Sequence, residues 1–345
     1  MSPIPYYFCY IVPLSFFLSV YLGGWSFFLT PFVGFILVPF LDLIFGKEET
    51  NLSPEQEKEV KDKFSFRIVT LLWVPTQAAV VLTGAWYVST HEVSFLQFLL
   101  IVLSAGMNGG GVGITIAHEL CHRQTKLEQW SSQIILAFIN YMHFHIEHIV
   151  GHHQRVSTPE DPTSAQLGES FYTFYPKTVI GSYKSAWNFE KRRVKRIGMH
   201  RNRMLHYLGW QFLLNLAILL VFGPIGFIFH IAQSIASFSF LEVVNYVEHY
   251  GLQRKKLPNG RYEKVQPIHS WNANHRVSNL FLFKLQRHSD HHANALRRYQ
   301  ILRNFEEAPQ LPLGYPLMII LAMVPPLWRK VMDPRVEAHR RSLVV

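Results

Sequence analysis

Histidine is concentrated in four short segments: His118-Glu-Leu-Cys-His122, His148-Ile-Val-Gly-His152-His153, Asn245-Tyr-Val-Glu-His249-Tyr-Gly251 and His288-Ser-Asp-His291-His292. Helical residues three and four apart share a face, about 5–6 Å apart at Cβ. The spacing predicts that His118 and His122 point at one centre. It predicts the same for His148 with His152, and for His288 with His291 and His292. Adding His153 and His249 makes nine imidazoles. A single ion rarely holds more than about six ligands, so nine suit two metals with roughly four or five each.

Imidazole suits zinc, copper, iron and nickel. Structural zinc takes about four protein ligands and catalytic zinc about three, so this set exceeds what one zinc needs. A redox pair that accepts oxygen is the better match. Soluble di-iron proteins rely mainly on glutamates. A nearly all-histidine centre is more cationic and calls for nearby acids to orient the rings and offset charge. Glu119, Glu147, Glu248 and Asp290 each adjoin a candidate ligand. At least two of them are expected to serve in this way. His91, His143, His145, His200, His206, His230, His269, His275 and His339 lie outside the clusters and are read as structural. Two other classes stay open. His118–His122 fits the HExxH pattern of zinc proteases, with Glu119 as general base. That reading leaves most of the histidines without a role, as does a haem or metal carrier.

The elements that position these residues are apolar. The 345 residues are 49% hydrophobic and 14% aromatic, and 16% are charged. Soluble domains carry roughly 25% charge. Apolar runs at about 4–23, 25–46, 68–88, 95–117, 208–229 and 231–247 approach or reach the roughly 20 residues a membrane helix needs. They predict an all-α bundle of six transmembrane helices in one domain, residues 1–345, because the histidine segments are split by the last two spans. The first run has no preceding Lys or Arg and reads as a retained span rather than a signal peptide. Asp42 is expected at the membrane interface. Leu127–Glu147 is expected as a helix beneath the bundle, and Leu311–Trp328, broken by prolines, as a re-entrant or interfacial helix.

Residues 184–203 hold Lys184, Lys191, Arg192, Arg193, Lys195, Arg196, Arg201 and Arg203 against the one acid Glu190. Read as a loop, this stretch is cytoplasmic by the positive-inside rule. The N-terminus, the histidine segments and the C-terminal tail then fall on the same side. The formal charge of +10 is therefore ascribed to topology, and nucleic acid is not an expected partner.

At these clusters the chain resembles the bacterial alkane 1-monooxygenases of the membrane fatty acid desaturase and hydroxylase superfamily. Besides the histidine boxes, the match includes Thr158-Pro-Glu-Asp-Pro162, Glu248-His249-Tyr250-Gly251-Leu252, Gly260-Arg-Tyr-Glu263, His269-Ser-Trp-Asn272, Leu285-Gln-Arg-His288, Arg298-Tyr-Gln300 and Val331-Met-Asp-Pro334. Cys121 departs from it, standing where a glycine is usual, and so does Arg123-Gln124, where lysines are commoner. The resemblance implies a six-span bundle in the bacterial inner membrane, with two Fe ions at its cytoplasmic end held by His118, His122, His148, His152, His153, His249, His288, His291 and His292. It implies O2-dependent hydroxylation of the terminal methyl of medium- to long-chain n-alkanes. Electrons would come from NAD(P)H through rubredoxin reductase and rubredoxin. Two cysteines cannot form a fused rubredoxin, so the donor is expected to be a separate protein, which the basic stretch could dock. No separate catalytic acid or base is required for the C–H step. A fatty-acid desaturase or a xylene-type methyl hydroxylase would share the irons and differ in the substrate tunnel. Gly34, among Phe32, Phe35, Ile36 and Phe40, is a candidate tunnel residue that leaves room for longer chains. Close helix packing is the other reason for a glycine there.

Overall fold

A computed structural model describes residues 1–343, and among these there are helices and no strand. Five helices are long and apolar enough to cross a membrane: α1 (Ile4–Leu22), α2 (Gly24–Phe45), α3 (Phe64–Thr90), α4 (Phe95–Cys121) and one of 47 residues, Arg203–His249. Between α4 and that last helix lie α5 (Lys126–Ala137), α6 (144–155) and α7 (Phe171–Ile197). Arg203–His249 is therefore α8. The chain continues through the short helix Arg276–Phe281 to α9 (His288–Ala293), α10 (Tyr315–Ala322) and α11 (Pro325–Ser342).

The expected break between residues 229 and 231 is absent. α8 breaks instead at Gly223, whose φ of 69° only glycine adopts freely, followed by Pro224. The chain doubles back there. Asn140 bonds Asn215 at 2.7 Å and Ser234 at 3.0 Å. A straight helix would hold those two residues roughly 28 Å apart. The Gly-Pro dipeptide was the stronger signal, and hydropathy hid it because both arms are apolar.

α4 carries the first two histidines. A reciprocal Ser94–Gln97 capping box starts it. Near its middle, Asn108–Gly113 widens to i→i+5 hydrogen bonding. Its glycines let α4 lie directly on the second arm of α8. A Cβ at Gly110 would sit 2.1 Å from the Ser237 carbonyl oxygen, and one at Gly106 2.5 Å from Ala236 Cβ. Gly110→Ala is thus expected to wedge the helices apart and lower stability by about 1–3 kcal/mol. Thermal unfolding in detergent against a Gly111→Ala control, where a Cβ meets open space, measures this.

Other sequence readings change in detail. Leu127–Glu147 is not one helix: α5 ends at Ala137, and Asn140 at φ 52° turns the chain into α6. The basic stretch is not a loop but the last turns of α7, a Gly198 turn and the start of α8. Its one acid is structural. Glu190 is buried and accepts from Arg193 at 2.7 and 2.8 Å and from Arg203 at 2.6 and 2.9 Å. Lys191, Arg192, Lys195 and Arg196 are left exposed. Asp42 is buried, and its carboxylate accepts from Val277 and Ser278 N–H at 2.8 and 3.0 Å, starting the Arg276–Phe281 helix. The prolines split 311–328 as expected, into α10 and the beginning of α11.

Candidate metal centre

Four elements bring the nine histidines to one place: the end of α4 (His118 and the capping His122), α6 (His148, His152, His153), the end of α8 (His249) and α9 (His288, His291, His292). They divide into two groups. In one, His118, His122, His148, His153 and His291 each offer a ring nitrogen within 4.8 Å of the others. In the second, His152, His249, His288 and His292 do the same. Representative Nε2–Nε2 separations are 3.0 Å for His148–His122 and His153–His291, and 2.8 Å for His292–His288.

This partition corrects two expectations. His148 does not share a centre with His152. Over His148–His152 the helix widens to i→i+5 bonding, so His148 aligns with His153 at 3.0 Å. His152 faces the other group, 3.2 Å from His292. On α9, His288 and His292 stay together as an i,i+4 pair, while His291, about 100° round the helix from His292, joins the five-histidine group. His118 and His122 stay together as expected.

The donor set fits metal ions. His118 Nε2 is buried with no protein partner. Burial and the neighbouring imidazoles hold His148, His153, His288, His291 and His292 well below the ordinary imidazole range, so they are neutral, the form that ligates.

The four acids proposed to orient these rings divide three to one. Glu119 pairs with Arg123 at 3.1 Å, and that guanidinium also grips the carbonyls of Leu296 and Arg297. Glu147 pairs with Arg155 at 2.8 Å. Asp290 accepts from Arg297, Asn294 and the Arg303 N–H. These three tie backbone segments together. Glu248 alone reaches an imidazole. Its Oε2 lies 3.2 Å from His288 Nε2, on the side facing the group, and its Oε1 accepts from Tyr315 at 2.8 Å.

The carboxylate on an outward nitrogen is one sequence reasoning missed. Asp161 Oδ2 lies 2.9 Å from His152 Nδ1, and the Thr163 hydroxyl lies 2.6 Å from the same atom. Ser164 and Thr163 also donate to Asp161. Burial disfavours both charges, but Asp161 outweighs it and raises His152, while His152 in turn holds Asp161 far below the carboxylate range. The outward Nδ1 atoms of His249, His288 and His292 are buried without partners. Asp161 is therefore the carboxylate that orients His152 within this group. Its signal was available in Thr158–Pro162, which holds Asp161 nine residues beyond His152.

An apolar cavity of about 110 Å³ ends at the groups. Gly34, Phe35 and Val38 of α2 and Met107 of α4 line its far part, and His118, His148, His288 and Glu248 its inner end. Gly34 thus faces the cavity, and a Cβ there would point at the Met107 methyl, 2.4 Å away. The protease reading fails on geometry. Glu119 is spent on Arg123, and His118 and His122 belong to a five-histidine group. Cys121 donates to the His118 carbonyl and lies in neither group. The histidines read as structural also lie in neither group. His145, for instance, bonds Gln129 at 2.7 Å, and His269 bonds Glu263 at 3.1 Å.

Comparison with known proteins agrees with this architecture. A family model described as fatty acid desaturase matches residues 93–321. Alkane 1-monooxygenase 2 of Pseudomonas aeruginosa is 44% identical over 95% of this chain and 89% of its own. Alkane 1-monooxygenase of Acinetobacter baylyi is 42% identical over 90% of this chain and 77% of its own. The hydroxylase component of a xylene/toluene monooxygenase from Pseudomonas putida is 28% identical over 68% and 63%. Five long apolar helices around two all-histidine groups, and identities above 40% across nearly the whole length, place this chain in the alkane 1-monooxygenase family of membrane oxidoreductases.

Proposed function

We propose that the protein hydroxylates the terminal methyl of medium- to long-chain n-alkanes, with one iron in each histidine group. The observation that carries this reading is the apolar cavity that ends at both groups. When bound, such a pair supplies the redox chemistry that splits O2 between substrate and water. The chain's own residues position the reaction. The cavity walls align a straight apolar chain and exclude water, and the neutral imidazoles and Asp161 hold the metals. No side chain need remove a proton from carbon. The lipid-facing side of α2 exposes Phe32, Ile36 and Phe40 next to Gly34, which supports entry of substrate from the bilayer.

Gly34 sets the length accepted. Gly34→Trp is expected to cut hexadecane turnover by at least roughly tenfold while octane turnover survives. An unaltered product profile would make Gly34 a packing residue only. The parent test is expression in bacteria lacking alkane oxidation but supplied with rubredoxin and its reductase, fed n-alkanes from octane to hexadecane. 1-Alkanols seen by gas chromatography support the reading. A membrane protein that carries iron and makes none would favour a desaturase or an aryl-methyl hydroxylase.

The same reading includes one domain, six spans with the Gly223 turn joining the last two, and the N-terminus, histidines and basic face of α7 on the cytoplasmic side of the inner membrane. Electrons then come from NAD(P)H through rubredoxin reductase and a separate rubredoxin. The exposed Lys191, Arg192, Lys195 and Arg196 form a face for an acidic donor. Lys195→Glu with Arg196→Glu should slow donor-limited turnover roughly tenfold at low salt and flatten its salt dependence. Unchanged salt dependence would leave topology as the sole reason for these charges.

A further inference from the structure

Hydroxylation of an alkane consumes protons. One oxygen atom of O2 enters the C–H bond to give C–O–H. The other leaves as water, taking two electrons from the external reductant and two protons. Beyond its inner end the substrate cavity is lined by apolar side chains such as Phe35, Val38 and Met107 and is a poor path for those protons. A different part of the molecule is built for it.

Glu242 lies on the second arm of α8, 1% exposed. Its Oε1 accepts from the Tyr141 hydroxyl at 2.7 Å, and its Oε2 from Thr178 at 2.6 Å and Asn245 at 3.2 Å. None of the ion pairs among the described residues includes it. A carboxyl buried without a cation is costly, and alternatives that only tie helices together need no ionisable group. Glu242 and Asn245 line a small cavity together with Glu147, His148 and His152. Tyr141 and His143 wall it too, and these two rings, 4.2 Å apart, also line an outer groove that reaches Tyr183 and Lys184. The inner cavity leaves about 10 Å³ for the centre of a water molecule, the room of a single bridging water. Tyr141 thus lines the surface groove and hydrogen-bonds Glu242, and Glu242 shares the inner cavity with His148 and His152 of the metal groups.

We infer that Glu242, reloaded through the Tyr141 hydroxyl, delivers protons to the metal centre by a route separate from the alkane cavity. The Tyr141 O–H proton passes to Glu242, Tyr141 regains one from the groove, and Glu242 releases its proton to cavity water beside His148 and His152. This inference rests on the proposed monooxygenase reaction.

The test uses the full-length, iron-loaded protein in lipid with rubredoxin and its reductase. Glu242→Gln preserves size and hydrogen-bond capacity but cannot carry a proton. Expected are parental iron content, alcohol formation lowered roughly 100-fold, most of the reductant diverted to hydrogen peroxide, and a larger solvent deuterium isotope effect. Glu242→Asp should recover part of the rate. Tyr141→Phe should raise the isotope effect in the same direction, and it serves if Glu242→Gln does not fold. A structural role would lower iron or stability and leave the isotope effect alone. Parental coupling and isotope effect in both variants would overturn the inference. The parent also decides by itself: reduction of the irons should shift an infrared carbonyl band of a buried carboxyl, and no such band would equally overturn it. Because that band needs no alkane, a parent that makes no alcohol would count against the proposed reaction and leave the proton route to be judged by the band.

Discussion

A His249→Ala chain should bind about one iron instead of about two and make no alcohol above background, whereas His291→Ala should keep more of its metal. The difference follows from the partition of the histidines. His249 is one of four in its group, and its removal leaves three. His291 is one of five, and His118, His122, His148 and His153 remain around the same point. His288→Ala and His292→Ala should strip the same iron as His249→Ala, although both flank His291 in sequence. Metal analysis with iron-57 Mössbauer spectra reads this directly, because ions with different ligand numbers give separate signals. Loss of one common signal from all four variants would contradict the partition.

Asp161→Asn should weaken iron binding at the four-histidine group by about 10–100-fold, while Glu119→Gln should not. Asn can still reach His152 Nδ1, but it no longer stabilises the imidazole N–H with a full charge. No other outward nitrogen documented in that group has a partner, so nothing compensates. Glu119 lies beside His118 in sequence yet spends its charge on Arg123. Chelator competition on the purified variants measures both affinities. Equal losses in the two would mean that general charge balance, rather than the Asp161–His152 contact, holds the metal. Thr163→Val should behave as a milder Asp161→Asn, since the Thr163 hydroxyl contacts both partners.

Much of this was legible from residue order. Long apolar runs have one stable form in a bilayer, because a helix satisfies its own backbone. The runs at 25–46 and 95–117 accordingly match α2 and α4 within a few residues. Clustered imidazoles at helical spacing marked the segments that meet, and the structure brings all nine together. A Gly among aromatic residues on α2 marked the cavity wall. Where two signals competed, hydropathy misled: the Gly223–Pro224 turn sits inside an unbroken apolar run and moved the boundary of the last two helices. Charge composition misled in the same way at 184–203, where a long amphipathic helix was read as a loop.

The sequence by itself determined the elements, the kind of ligand and the family, because these depend on composition, spacing and local backbone chemistry. Only the tertiary structure decided which histidine faces which group. That choice turns on an i→i+5 widening at His148–His152, which no i,i+4 pattern reveals. It also decided what each acid does. Sequence adjacency placed Glu119, Glu147 and Asp290 beside ligands, but a side chain on a helix points about 100° from its neighbour, so their charges went to arginines. Asp161, from a loop nine residues beyond His152, reached that ring, and Glu242 the cavity beside it, because the fold packs those segments together.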